Sequence, residues 1–253
     1  MATIFLLSHF KFTVFFMDIA ATLEAFIDKV DLLYLTDVIG IVAFAFAGVL
    51  IGIRMKCDPV GIFVLAFSTA FGGGIMRDLL IDRRPMYWIA NQELVWLVLL
   101  ITIFTPMIFR FYKKHLSYDV FVWCDAIGLG FFSAVGTSHG VNLGVPYLPA
   151  VLCGVATGVF GGLCRDAFLN IKPSLIYDHQ PYGSVAFAGC WLFIAMIALG
   201  IDNTLSIWVA SLFITFFRMW CYYRSWRIAY HDNFIHEDPS PETDRDRRQS
   251  AGS

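Results

Sequence analysis

The chain has 253 residues, of which 58% are hydrophobic and only 15% charged, and its mean hydropathy is +0.68. That balance excludes an ordinary soluble domain and predicts an integral membrane protein. The formal net charge of −2 points to no nucleic-acid partner, and it averages over ends of very different sign.

Residues 1–30 read as an N-terminal extension. The stretch "IFLLSHFKFTVFF" has the length of a signal-peptide core, but His9 and Lys11 interrupt it and no basic segment precedes it. Ile19, Leu23, Phe26, Ile27 and Val30 recur at helical spacing, which predicts a short amphipathic helix at the membrane surface. Seven mostly apolar runs follow, near 37–54, 59–77, 93–111, 120–138, 146–164, 184–201 and 205–223. Each holds roughly 18–22 residues, enough to cross a hydrocarbon core about 30 Å thick. They divide into a first three-helix repeat (31–118), a second (119–204), a seventh span (205–230) and a tail (231–253) that ends "HEDPSPETDRDRRQSAGS". The tail has the charged, Pro- and Ser-containing composition of a disordered segment.

Arg54 and Lys56 follow the first run, Arg110, Lys113 and Lys114 the third, Lys172 the fifth, and Arg224 and Arg227 the seventh. All these loops share one side, and the opposite side carries only Lys29, Arg83 and Arg84. The excess predicts an outside N-terminus and a cytoplasmic C-terminus. Cys57, Cys124, Cys153, Cys164, Cys190 and Cys221 show no C-x-x-C spacing. They read as small apolar residues, with no disulfide, metal or cofactor expected. His139 and His179 are isolated and suggest no ligand set.

The chain is written twice. An ungapped offset of 88 residues aligns Asp37 with Asp125, Gly40 with Gly128, Phe44 with Phe132, Thr69 with Thr157, Gly73 with Gly161, Gly74 with Gly162, Arg77 with Arg165, Asp78 with Asp166 and Pro85 with Pro173. Three spans per copy is an odd number, so the second copy enters the membrane from the other side. The repeats are therefore inverted, as in many transport proteins. The expected fold is all-α and integral to the membrane: seven transmembrane helices, an inverted 3+3 repeat plus one C-terminal helix.

The sequences "FGGGIMRDLL" and "FGGLCRDAFL" concentrate the chemistry. Residues four apart share a helical stripe, so Thr69, Gly73 and Arg77 line up, as do Thr157, Gly161 and Arg165. Small residues let helices approach closely. Consecutive glycines also weaken a helix by about 1 kcal/mol each, which suits a kink that releases carbonyl oxygens as cation ligands. Charges in hydrocarbon need partners. Arg77 and Asp78 point about 100° apart on their helix, and the expected pairing runs between copies, Arg77 with Asp166 and Arg165 with Asp78. Asp37 and Asp125 open the first span of each copy, where capping explains a carboxylate.

The duplicated glycine-Arg-Asp motif, the opening "DVIGIVAFAFAGVLIGIRMKCD" and the three-plus-three-plus-one layout resemble the bacterial TRIC-type family, prokaryotic relatives of trimeric intracellular cation channels, also described as proteins with paired glycine-transporter domains. The likeness spans roughly residues 31–227. It implies an inner-membrane homotrimer with a pore inside each subunit and K⁺ and Na⁺ as permeants. It also implies pore-shaping kinks at Gly72, Gly73 and Gly74 and at Gly161 and Gly162. Phe160 stands where the second triple glycine would begin, and the animal members' Lys-Glu-Val lipid motif is not evident.

The leading expectation is a cation channel whose selectivity comes from carbonyls at the kinks and the hydroxyls of Ser68, Thr69 and Thr157. The alternative is a secondary carrier for glycine or a similar zwitterion, gripped at half-helix ends. No H-E-x-x-H and no convergent acid–base set argues for an enzyme.

Overall fold

The computed structural model describes residues 32–111, 118–173, 175 and 181–226. The expected surface helix within 1–30, His179 and the tail 231–253 lie outside them. Eight helices occur among the described residues: α1 (Leu32–Arg54), α2 (Pro59–Leu80), a single turn α3 (Tyr87–Ala90), α4 (Gln92–Phe111), α5 (Tyr118–Asn142), α6 (Tyr147–Phe168), α7 (Gly183–Ala198) and α8 (Asn203–Tyr223). α1, α2, α5, α6 and α8 are long and apolar enough to cross a membrane, while the apolar stretches Gln92–Met107 and Gly183–Ala198 are shorter. Large apolar side chains such as Val60, Leu79, Trp96, Phe104, Leu152 and Phe216 face outward, as lipid requires.

Local chemistry sets the helix ends. Asp58 caps α2 by accepting from the Gly61 N–H at 2.8 Å, with Pro59 in the first turn. Asp202 caps α8 through the N–H groups of Thr204 and Leu205. The duplication is visible in the backbone. α2 and α6 both end in a left-handed residue, Asp82 (φ 50°) and Asn170 (φ 52°), residue types that tolerate that region. The Arg83 N–H then closes on the Asp78 carbonyl at 2.8 Å, and the Ile171 N–H on the Asp166 carbonyl at 3.1 Å.

Helices α1, α2, α5 and α6 form the centre, and the contacts between repeats are reciprocal. Phe44 packs against Gly128 and Phe132 against Gly40, and the two rings meet edge to face at 5.2 Å. α8, the helix without a counterpart, packs mainly on α5 and α7, where its Thr215 hydroxyl donates to the Ser211 carbonyl at 2.8 Å and the Ala126 carbonyl at 3.3 Å.

Candidate functional site

The α2–α6 crossing is built from the duplicated glycines. A side chain at Gly73 would strike the Thr157 carbonyl oxygen, and one at Gly161 the Thr69 carbonyl oxygen. The two helices therefore touch backbone to backbone, through an exchange that the repeat makes symmetric. Both run through their glycines as continuous α-helix in this conformation. Gly72 faces the Cys164 side chain. The hydroxyls expected to line a pore are tied to their own helices: Thr69 donates to the Leu65 carbonyl at 2.6 Å, Ser68 to the same carbonyl at 3.1 Å, and Thr157 to the Cys153 carbonyl at 2.6 Å.

The four motif charges are deeply buried, but the crosswise pairing expected from the sequence is not the one formed. Arg77, 2% exposed, donates from Nε to Asp78 Oδ1 at 3.0 Å, and its Nη1 lies 4.0 Å from Asp37 Oδ1. Arg165, also 2% exposed, donates from Nε to Asp166 Oδ1 at 2.9 Å and from Nη1 to Asp125 Oδ1 at 2.6 Å. Each arginine thus pairs within its own repeat. The reason is topological: α2 and α6 cross antiparallel, Gly73 meeting Thr157 and Gly161 meeting Thr69, so Arg77 and Asp166 lie on opposite sides of the crossing. The capping expectation is corrected too. Asp37 and Asp125 sit inside α1 and α5, past their first turns, at the depth of the arginine of the same repeat.

Two tyrosines that the self-comparison missed complete these sites. Asp78 Oδ2 accepts the backbone N–H of Tyr87 at 2.6 Å and so anchors α3. The Tyr87 ring lies 5.5 Å from the Arg77 guanidinium and 5.3 Å from that of Arg83. In the second repeat Tyr182 takes this place, with the Arg218 guanidinium of α8 at 5.0 Å from its ring. Both phenolic oxygens are buried without a well-formed hydrogen bond. Burial, with the charge of Asp37 beside Tyr87 and of Asp125 beside Tyr182, holds both phenols above their ordinary pKa range, so both stay protonated. The tyrosines escape detection because they do not share the 88-residue offset, the second loop being longer past Pro173. Arg218 carried a readable signal: it is a single cation inside an apolar span.

The two sites differ in openness. Beside Gly74 the nearest neighbour of a hypothetical methyl is Arg77 Nη2 at 4.0 Å, and a cavity of about 10 Å³ opens there, lined by Asp37, Ile41, Arg77, Tyr87 and Thr157. That volume is about one water. Asp37 and Tyr87 also wall an open vestibule of about 390 Å³ with Arg83, Asn91, His139 and Asn142. Beside Gly162 the same space is filled, by the Tyr182 hydroxyl at 3.3 Å, Arg165 Nη2 at 3.5 Å and Asp125 Oδ1 at 3.8 Å. No group of three or more potential metal ligands occurs among the described residues.

Comparison with known proteins gives a consistent picture. A family model described as glycine transporter matches residues 34–110 and again 122–198. A UPF0126 membrane protein of Vibrio cholerae is 32% identical over 177 residues, covering 70% of this chain and 73% of the relative. The UPF0126 inner membrane protein YadS of Escherichia coli is 32% identical over 145 residues, 57% of this chain and 70% of the relative. The solved structure of the TRIC trimeric intracellular cation channel orthologue from Rhodobacter sphaeroides superposes with a TM-score of 0.71 at 29% identity, covering 77% of this chain and 98% of that one. A prokaryotic TRIC channel in 0.5 M KCl gives 0.69 at 26% identity, over 78% and 98%.

Proposed function

Because the chain belongs to the glycine-transporter family of TRIC-type membrane proteins, we propose that it is a monovalent cation channel with a pore inside each subunit. The carrying observation is the series arrangement of two buried Arg–Asp–Tyr sites on either side of a glycine crossing, one of them beside an open vestibule. A cation enters the vestibule, is attracted by Asp37, whose ion pair with Arg77 is long at 4.0 Å, and passes Thr157 toward Asp125. The second site, closed by the 2.6 Å Arg165–Asp125 contact, is the barrier in this conformation.

Opening requires α2 and α6 to bend at Gly72–Gly74 and Gly161–Gly162, where helix is weakest. Carbonyl and hydroxyl oxygens around Ser68, Thr69 and Thr157 then replace part of an ion's hydration shell. The guanidiniums neutralise most of the fixed negative charge, so discrimination between K⁺ and Na⁺ is modest. The Lys and Arg bias puts the vestibule on the outer face and the closed site on the cytoplasmic face, in an inner membrane crossed seven times. The relatives named as trimeric channels support a homotrimer. The test is purified protein in a planar bilayer: unitary currents that reverse as KCl and NaCl gradients dictate are expected, and their absence at every voltage refutes the proposal.

A carrier is the second reading, favoured by one feature. A site open on one side and sealed on the other, with Arg83 and Asp37 in the open wall, is also how a carrier of a zwitterion looks in one of its two states. Saturable uptake of labelled glycine without unitary currents would establish it.

A further inference from the structure

The two half-sites share an arginine, an aspartate on the preceding long helix and a tyrosine, yet one is loose and the other shut. The difference lies in where the second guanidinium comes from. At the loose site Tyr87 lies beside both Arg77 and Arg83, at 5.5 and 5.3 Å. Arg83 projects from the loop after α2 into the vestibule wall. Arg77, held by Asp78 at 3.0 Å, also lies against the Tyr87 ring, and its contact to Asp37 is 4.0 Å. At the shut site the cation over the Tyr182 ring is Arg218, at 5.0 Å, and it comes from a packed helix. Arg165 is then free to close on Asp125 at 2.6 Å while its guanidinium rests 4.8 Å from the Phe121 ring.

Arg218 is 5% exposed, while Leu212, Phe213, Phe216 and Trp220 are among the residues of its helix that face outward. It therefore does not reach for headgroups but points into the protein, against Tyr182, whose hydroxyl fills the space beside Gly162. An ionisable residue placed in a span at such cost is expected to serve function through its partner.

Resting on the channel reading, we propose that α8 is the gating arm of the pore: Arg218 clamps Tyr182 over the Gly162 gap and so leaves Arg165 to lock Asp125. α8 stands outside the duplication, so it can act on one of two otherwise equivalent gates. The inverted pore is thereby given a default closed end. Arg218 is a positioning residue and does not itself contact the permeating ion.

The test is single-channel recording of the full chain in a planar bilayer, comparing wild type with R218Q, R218K, Y182L and Y182F. R218Q removes the cation, and Tyr182 then draws on Arg165 as Tyr87 draws on Arg77. Open probability is expected to rise about tenfold, equivalent to about 1.4 kcal/mol and within the range of a desolvated cation–π contact. Unit conductance and reversal potential stay as in wild type. R218K and Y182F, which keep a cation and a ring, retain most of the closure. Y182L behaves like R218Q, and the double variant R218Q/Y182L opens no more than either single one. Wild-type-like open probability in R218Q, or effects of the two substitutions that simply add, overturns the clamp while leaving the channel reading intact. If R218Q fails to fold, Y182L decides alone: unchanged gating refutes the proposal. A silent wild type with a conducting R218Q supports a clamp held shut, whereas silence in every variant overturns both the clamp and the channel.

Discussion

Adjacent glycines in α2 have different jobs, and alanine separates them. At Gly73 a methyl carbon would collide with the Thr157 carbonyl oxygen, with the Thr157 carbonyl carbon at 3.1 Å and the Phe132 ring at 3.5 Å. The first of these is main chain and cannot rotate away, so α2 and α6 must separate toward an ordinary contact of about 3.5 Å or more. Overpacking of this kind costs about 1–3 kcal/mol, and the separation also loosens the equivalent Gly161–Thr69 contact, so the upper end, about 3 kcal/mol, applies. Alanine returns up to about 1 kcal/mol of helix propensity, leaving Gly73→Ala destabilised by about 2 kcal/mol. At Gly74 the nearest group is 4.0 Å away, so only the propensity gain remains. With about 2–4 °C per kcal/mol for a chain of this size, thermal unfolding in detergent, followed by tryptophan fluorescence, should show Gly73→Ala melting about 4–8 °C below wild type. Gly74→Ala should melt at or slightly above it, while its methyl intrudes on the cavity beside Arg77 and lowers unit conductance. Equal melting of the two variants, or a stable Gly73→Ala, refutes the account of the crossing as backbone contact.

Three further outcomes follow from the same geometry. Gly162→Ala brings a methyl to 3.3 Å from the Tyr182 hydroxyl, tight enough to shift the whole side chain and its ring from beneath Arg218, and should raise open probability in bilayer recordings with little change in melting temperature. Phe44→Ala removes a fully buried ring that fills the space against Gly128, and should cost about 3–5 kcal/mol in detergent unfolding. Asp78→Asn replaces half of the carboxylate that accepts both the Arg77 Nε–H and the Tyr87 N–H; it should release α3 and show faster amide hydrogen exchange at Tyr87 than in the wild-type chain.

Much of this architecture is legible because the duplication is. The offset that aligns Gly73 with Gly161, the two glycines of the central crossing, also aligns Asp82 with Asn170, and the structure shows both of these in the left-handed region after their helices. Phe44 and Phe132 are matched in the same way, although nothing local reveals that each ring seats on the other repeat's glycine. Loop length hides the tyrosines: an ungapped comparison places Leu175 opposite Tyr87, whereas the chain brings Tyr182 to that position in space. Arg218 lies outside the duplicated segments, and an argument from symmetry passes over it. The conformation of the glycine segments is hardest to read, because consecutive glycines permit a bend without requiring one, and close packing across the crossing holds them helical here.

The charge pairs show how inversion constrains chemistry. A motif repeated in parallel could pair with its own copy, since both copies would sit at one depth. In an inverted pair the ends of α2 and α6 lie on opposite membrane faces, and the carboxylate that meets each arginine must come from the neighbouring helix of the same repeat, at the end where that helix begins: Asp37 for Arg77 and Asp125 for Arg165. Charge reversal tests this directly. Arg165→Asp leaves like charges facing Asp125 and should cost about 3–5 kcal/mol; adding Asp125→Arg restores opposite charges at the same depth and should recover a large part of the folded yield. Combining Arg77→Asp with Asp166→Arg should recover none, because the two new charges stand on opposite sides of the glycine crossing and each faces a group of its own sign, Asp37 or Arg165. Recovery in the second pair and failure in the first would mean that the repeats meet in a parallel arrangement and that the two gates are one.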